Sequence, residues 1–297
     1  MLTLLFLFIR QSDQWEDDMK SAEFSVLMSL YINERPEYFR ECMESVLSQT
    51  VMPSEILIIK DGPVQEEVDF LLERYGRDNP GLIRTISYDV NRGLWYALAL
   101  GVTECRYNLI ARMDTDDIAR NDRFEKQLRE FEIDPELDIC GSYIDEFEGE
   151  VSNIVARRTV PLGQDDIVRY QRRRDAFNHM TVMYKKSAVL AAGNYQECPL
   201  MEDTLLWVNM LRNGARCKNI PEPLVYARIG EEMYERRGGY RYFLRYRDGR
   251  RKVYDTGFIS FTDYIYTLII QFIVAMMPRN VRGFVFRKIL HGNNRRQ

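Results

Sequence analysis

Two clusters of acids in this chain have a spacing that can do chemistry. Asp114-Thr115-Asp116-Asp117 follows directly on Asn108-Leu109-Ile110-Ala111-Arg112-Met113, a run of strand character. Side chains of an extended segment repeat with period two, so Asp114 and Asp116 offer carboxylate oxygens on one side. Paired hard oxygens suit Mg²⁺ or Mn²⁺, ions that keep positions open for substrate phosphates. A solvated acidic turn, or a cap placed by Asp117 on a following helix, uses the same residues. Placement on a buried strand favours the metal, because a plain turn needs no such position. The second cluster, Glu202-Asp203, follows Met201 and stands ahead of the apolar run Leu205-Leu206-Trp207-Val208-Asn209-Met210-Leu211. Helix capping accounts for these two acids as well as a reaction does.

The elements that must position these acids alternate. Phe24 to Leu30 is a near-continuous apolar run of strand length. Glu37 to Ser48 has helical spacing, with Phe39, Met43, Val46 and Leu47 sharing a face. Ile56 to Ile59 predicts a second strand, ended by the turn residues Asp61-Gly62-Pro63, and Val64 to Tyr75 a helix. Ile83 to Tyr88 and Tyr107 to Met113 are further strands, around a helix from Trp95 to Val102 that follows the turn Asn91-Arg92-Gly93. Arg123 to Phe131 reads as a helix and Ile139 to Tyr143 as a strand. Such alternation calls for an α/β fold, a mostly parallel central sheet flanked by helices, with right-handed crossovers. Ligands of these sheets sit beyond the carboxyl ends of the strands. Tyr31-Ile32-Asn33-Glu34, Lys60-Asp61-Gly62 and the 114–117 cluster all stand at such ends.

Several segments, in order, resemble the family 2 glycosyltransferases of the GT-A fold. They are Ser25-Val26-Leu27-Met28-Ser29-Leu30-Tyr31, Ser45-Val46-Leu47-Ser48-Gln49-Thr50, Glu55 through Gly62, Asn91-Arg92-Gly93-Leu94 and Arg112 through Asp117. The likeness runs from about Phe24 to Arg228 and is similar especially to bacterial enzymes of capsular, exopolysaccharide (amylovoran-type) and O-antigen assembly. It implies a Rossmann-like GT-A domain over residues 23–230. It also implies inverting transfer of a hexose or N-acetylhexosamine from a UDP-sugar to a lipid-diphosphate-linked saccharide, in surface polysaccharide biosynthesis.

The resemblance assigns roles residue by residue. Tyr31 and Glu34 flank the uracil and ribose, Asp61 accepts from the base, and Arg92 beside Gly93 reaches the nucleotide or its phosphates. Asp114 lies near the ribose or donor sugar and shares with Asp116 an Mn²⁺ or Mg²⁺ that neutralises the departing diphosphate. Asp203 becomes the general base and Glu202 positions it or the acceptor, with a pKa lowered by the helix N-terminus. His179, in Phe177-Asn178-His179-Met180-Thr181, is either a ligand of the acceptor or donor sugar or a satisfied core histidine. Arg228 is expected at the diphosphate. The histidine that family members often carry nearby is missing from Tyr226-Ala227-Arg228-Ile229-Gly230, which leaves water or Glu231 as the last ligand. Loops such as Gly163 to Asn178 would choose the sugar. Two other classes compete. A sugar nucleotidyltransferase calls for a Gly-rich phosphate loop near the first strand, where Tyr31-Ile32-Asn33-Glu34-Arg35-Pro36 has none. A non-catalytic binding protein of the same fold has no reason to keep Asp61, Asp114, Asp116 and Asp203.

Composition sets the outer bounds. The 297 residues, 45% hydrophobic and 29% charged, suffice for one large α/β domain with an appendage, and a net charge of -4 gives no reason to expect nucleic acid. Five cysteines without C-x-x-C spacing fit neither a disulfide framework nor a zinc site, and match a reducing compartment. Leu2 to Ile9 is too short to span a bilayer and lacks a cleavage site, so residues 1–22 read as an extension, with Met19 an alternative start. Residues 231–297 are basic and amphipathic, with eight Lys/Arg between Arg236 and Lys252 against Asp248 alone. Phe258 to Met277 has the length to span but carries Asp263, and Val281 to Leu290 alternates apolar and basic residues. The expectation is a helical extension lying on the cytoplasmic face of the bacterial inner membrane. Packing on the catalytic domain, or a homodimer contact, uses the same features. His291 lies deep in the basic tail and looks unrelated to the site.

Overall fold

The computed structural model describes residues 23–230 and 238–278. Its parallel block is built from β1 (Phe24–Leu30), β2 (Glu55–Asp61), β3 (Ile83–Tyr88) and β4 (Leu109–Arg112), in the order β3-β2-β1-β4. Because all four strands run the same way, their carboxyl ends meet at one edge. The parallel register sets Leu27 of β1 beside Leu57 of β2 and Arg112 of β4. Alternation along β1 sends Phe24, Val26, Met28 and Leu30 to one face and Leu27 to the other.

Helices cover both faces. On the first lie α1 (Pro36–Leu47) and α2 (Glu66–Asp78), which contribute Phe39, Met43, Val46, Val68 and Leu71 to that core. α1 starts on Pro36, whose missing N–H is no loss in a first helical turn. α3 (Leu94–Glu104) lies on the opposite face through Ala97, Leu98 and Val102. These elements agree with the sequence expectations to within a few residues.

The second half departs from a plain parallel sheet. β5 (Ile118–Ala119) and α4 (Arg123–Ile133) follow the acid cluster, then β6 (Leu137–Phe147), β7 (Ile154–Arg158) and α5 (Gln164–Gln171). A short 3-10 turn at His179–Thr181 leads into β8 (Met183–Lys185), α6 (Lys186–Ala191), α7 (Glu202–Arg212) and β9 (Arg216–Arg228). β8 is antiparallel to both β4 and β6, whereas β6 and β9 run parallel and β5 pairs antiparallel with β9. The segment Gly163 to Asn178, expected as loop, is therefore half helix. β9 was not expected as a strand at all: Pro221 and Pro223 lie within it, and proline cannot donate to a ladder. The register with β6 shifts around Tyr143, where the partner changes from Ile220 to Pro223, so the strand carries its prolines on irregularities.

Downstream, α8 (Tyr240–Asp255) and α9 (Phe261–Met276) pack on α7, with Val253, Ile259 and Tyr264 set against Met201, Leu205 and Val208. Gly249 makes this approach close: a Cβ there would collide with the Pro199 carbonyl oxygen and come within 3.3 Å of Met201 Cγ. The apolar stretch 258–277 does not form one long helix. Ser260 and Asp263 form a capping box that starts α9, and Asp263 also pairs with Arg173 at 2.6 Å. Among the described residues, no helix is long and apolar enough to cross a membrane. All five cysteines are buried and free. The extension 1–22 with Met19, Glu231, the helix expected over Val281 to Leu290, and His291 lie outside the described residues.

Candidate active site

Three strand tips converge. After β1, Glu34 turns back and accepts from the Thr115 hydroxyl, which joins the first tip to the acid cluster beyond β4. After β2, Asp61 is 3% exposed and holds the turn that precedes α3: it accepts from the backbone N–H of Arg92 at 2.7 Å, of Gly93 at 3.0 Å, and from Asn91 Nδ2 at 2.9 Å. Gly93 has φ +90°, a conformation that glycine adopts without strain. Arg92 lies over the Tyr96 ring, 4.7 Å from its centre, and donates to the Tyr96 hydroxyl. Tyr31 stands at the mouth, 39% exposed.

Beyond β4, ligand oxygens of Asp114, Asp116 and Asp117 all lie within 4.8 Å of one another. Crowding acts on their protonation. Burial, and then the neighbouring Asp114 charge, raise Asp116 to about 6. Burial also raises Glu34 to about 7, opposed by the Thr115 hydrogen bond and reinforced by Asp116 and Asp114. Such a set of crowded oxygens, in which Asp116 stays raised despite the nearby Arg112 and Arg228 charges, fits a hard divalent ion. Asp117 does not cap a helix, since Ile118–Ala119 is strand. Instead it is 3% exposed and accepts from the Arg228 backbone N–H at 2.8 Å, fixing the end of β9 to the cluster.

The other acids come from α7. Glu202 and Asp203 occupy its first turn after Met201, and Asp203 Oδ1 accepts from the Thr204 backbone N–H at 2.7 Å, as a helix-capping acid does. The expected lowering of the Asp203 pKa does not occur. Burial, then the like charges of Asp175 and Glu202, raise it well above the usual carboxylate range, against the Thr204 N–H and Arg112. Burial and like charge together outweigh the helix dipole. His179 lies beside it, with Nδ1 3.9 Å from Asp203 Oδ2 and Nε2 2.9 Å from the Tyr195 hydroxyl. Burial, then the nearby Arg112 charge, hold the His179 pKa well below its ordinary value, so the ring is neutral.

Arg112 connects the two acid groups and was missed in the sequence. It is 2% exposed, is ion-paired to Asp114, and its charge also acts on Asp116, Asp117, Glu202 and Asp203. Its Nε and Nη1 are buried without a hydrogen-bond partner. The available signal was a cation ending an otherwise apolar strand.

The profile described as "Glycosyl transferase family 2" matches residues 25–190. The chain belongs to glycosyl transferase family 2. It is 33% identical to the UDP-Gal:alpha-D-GlcNAc-diphosphoundecaprenol beta-1,3-galactosyltransferase of Escherichia coli, over 91% of this chain and 97% of that one. It is 36% identical to the amylovoran biosynthesis glycosyltransferase AmsE of Erwinia amylovora, over 89% and 98% of the two chains. Its fold is similar to that of a mannosyltransferase from Pyrobaculum calidifontis, solved in complex with GDP-Man and Mn²⁺. The TM-score is 0.58 at 12% identity, over 80% of this chain and 66% of that one.

This family 2 glycosyltransferase has the mixed α/β sheet of the GT-A fold, and membership sets aside the nucleotidyltransferase and non-catalytic readings. In it Arg228 sits beside the acid cluster in a fixed pose. Its guanidinium lies 3.9 Å from the Tyr38 ring centre and 4.5 Å from that of Phe147. Nε donates to the Asp116 carbonyl at 3.1 Å, Nη1 to the Gly149 carbonyl at 3.1 Å, and Nη2 pairs with Glu41. These contacts engage three of the five guanidinium N–H donors.

Proposed function

We propose that this glycosyltransferase inverts the anomeric centre of a UDP-sugar, a hexose or N-acetylhexosamine donor, onto a lipid-diphosphate-linked saccharide in surface polysaccharide assembly. The observation that carries the reading is the reach of Arg112, which is ion-paired with Asp114 and whose charge also acts on Glu202 and Asp203, and this supports treating the metal-type and base-type acids as parts of one site. The UDP-Gal and diphosphoundecaprenol in the name of the Escherichia coli relative support the choice of donor and acceptor class.

In this scheme Tyr31, Glu34, Asp61, Arg92 and Gly93 receive the nucleotide, and Asp114 faces the ribose or donor sugar. Asp114 and Asp116 are the residues that would hold Mn²⁺ or Mg²⁺. When bound, the ion supplies positive charge to the diphosphate leaving group. Asp203 takes the proton of the acceptor hydroxyl. That oxygen bonds to the anomeric carbon as the bond from carbon to the phosphate oxygen breaks, and the electron pair departs with UDP. A carboxylate with a raised pKa is a stronger base than an ordinary one, which suits the task near neutral pH. Glu202 orients Asp203 or the acceptor, and neutral His179 supports the Asp203 side or contacts a sugar. Arg228 is assigned to the diphosphate.

The exposed apolar residues Tyr266, Ile269, Ile270, Ile273 and Met276 of α9 support peripheral contact with a bilayer. We assign this contact to the cytoplasmic face of the bacterial inner membrane. Screening UDP-sugars with Mn²⁺ or Mg²⁺ against a lipid-diphosphate saccharide tests the reading. Transfer of one sugar with inverted configuration is expected, and neither transfer nor donor hydrolysis with any UDP-sugar contradicts it.

A further inference from the structure

A cavity of about 700 Å³ opens beside the Glu202–Asp203 pair, between the end of α5, the segment before α7, and α8. Arg158, Arg173, Arg174, Arg245 and Arg250 line it. Asp175 and Glu202 are the acids on its wall, so cations exceed anions by three. None of the acids 114, 116 or 117 belongs to its lining.

Arg250 is the decisive residue. It is 2% exposed, yet it makes no ion pair among the described residues: Nε donates to Thr267 Oγ1 at 3.0 Å, and Nη2 to the Arg172 carbonyl. The neighbouring acids are engaged elsewhere. Asp263 pairs with Arg173 and caps α9, and Asp175 accepts from Gln171 and Thr204. Arg174 and Arg245 likewise carry no ion pair among the described residues. Buried cations are rarely left without a counter-charge, because desolvation is then uncompensated. A fork of guanidinium donors matches phosphate oxygens in geometry as well as charge.

The rim leads onto an apolar surface. Arg173 lies over the Tyr266 ring of α9, 4.8 Å from its centre, and beyond Tyr266 the same helix exposes Ile269, Ile270 and Ile273. An amphiphile with a doubly phosphorylated head and an apolar tail satisfies both surfaces at once.

We propose that this arginine cavity binds the diphosphate of the lipid-linked acceptor, with the lipid chain running along α9 and the attached saccharide delivered to Asp203. The site is separate from the one that receives the donor diphosphate, and the assignment rests on the glycosyltransferase reading above.

Calorimetric titration of the full chain with farnesyl diphosphate, farnesol and inorganic pyrophosphate, in chelator and without donor, tests it. Farnesyl diphosphate is expected to bind at least about tenfold more tightly than either farnesol or pyrophosphate. Arg174→Gln and Arg245→Gln, both at exposed positions, should each weaken it about tenfold, as expected for one charge-assisted contact. Asp116→Asn should leave it unchanged. No binding, unaltered binding in both arginine variants, or loss in Asp116→Asn overturns the site. Pyrophosphate binding as tightly as farnesyl diphosphate overturns the lipid part. Because the titration needs no turnover, an inactive enzyme that still binds counts against the transferase reading, and an active one that does not bind counts against this cavity alone.

Discussion

The Nδ1 atom of His179 lies 3.9 Å from Oδ2 of Asp203, while Nε2 of the same ring meets the Tyr195 hydroxyl at 2.9 Å. The imidazole is thus held from behind and its other nitrogen is turned to the proposed base. Neutral at physiological pH, it adds no charge to Asp203 but fixes one side of its surroundings.

Asp203→Asn should lower kcat by about a hundredfold or more, the usual scale for a lost general base, with little change in donor KM. Since the amide cannot ionise, the thermal midpoint should hold or rise as like-charge crowding with Asp175 and Glu202 disappears. In the wild type the base works when ionised, so activity should fall as pH drops through its raised pKa. The acidic limb of the kcat profile should therefore sit above the ordinary carboxylate value of about 4. His179→Gln should move that limb while leaving donor KM in place. Steady-state kinetics across pH read all three effects.

Arg112→Met removes the cation between the acid groups and strands the Asp114 carboxylate. A stability loss of about 1.5 kcal/mol is expected, because the half-buried Asp114 carboxylate loses its charge-assisted hydrogen bond. The same change should push the acidic limb of the pH profile further up, since Arg112 opposes the raised values of Glu202 and Asp203. Arg112→Lys should restore most of the limb but not the stability, having the charge without the fork. Denaturant unfolding together with a pH profile separates the two.

Without metal, stability should depend on pH in the direction opposite to most carboxylates. Glu34 and Asp116 have folded values raised to about 7 and about 6, so the folded state binds more protons than the unfolded one between about pH 4 and pH 7. Their contribution is present below that window and is lost as pH rises through it. Mn²⁺ should relieve the crowding of ionised acids and raise the melting temperature more at pH 7.5 than at pH 5.5. Thermal melts with chelator and with Mn²⁺ at both values check the sign.

Gly249→Val should loosen α8 from the Pro199–Met201 segment, at a cost of about 1–3 kcal/mol, typical of overpacking a tight contact. Since that segment leads into Glu202, acceptor KM should rise while donor KM stays near wild type. Urea unfolding and two-substrate kinetics measure this.

Much of the fold was legible because apolar runs and helical spacing coincide from β1 through α4, and turn residues such as Asp61-Gly62 and Asn91-Arg92-Gly93 punctuate them. β9 was hidden because Pro221 and Pro223 argue against a strand, and only the irregular pairing with β6 accommodates them. The apolar length of 258–277 overstated α9, because the Ser260–Asp263 capping box starts the helix inside it. In the site, Asp114, Asp116, Glu202 and Asp203 were visible as acids at element ends. The direction of the Asp203 shift was not, because it depends on Asp175, far away in sequence and near only after folding. Arg112 and Arg250 stand out through burial, and Arg174 and Arg245 through their place around one cavity, neither of which spacing encodes.

The central claim is that carboxylates at the strand tips act through a divalent ion on a departing diphosphate. It is tested most directly by transfer from a UDP-sugar after exhaustive chelation, and again after Mn²⁺ is restored, in wild type and Asp116→Asn. Loss of transfer on chelation, recovery with Mn²⁺ in the wild type and no recovery in the variant is the predicted result. Undiminished transfer by the stripped wild-type enzyme would contradict the account.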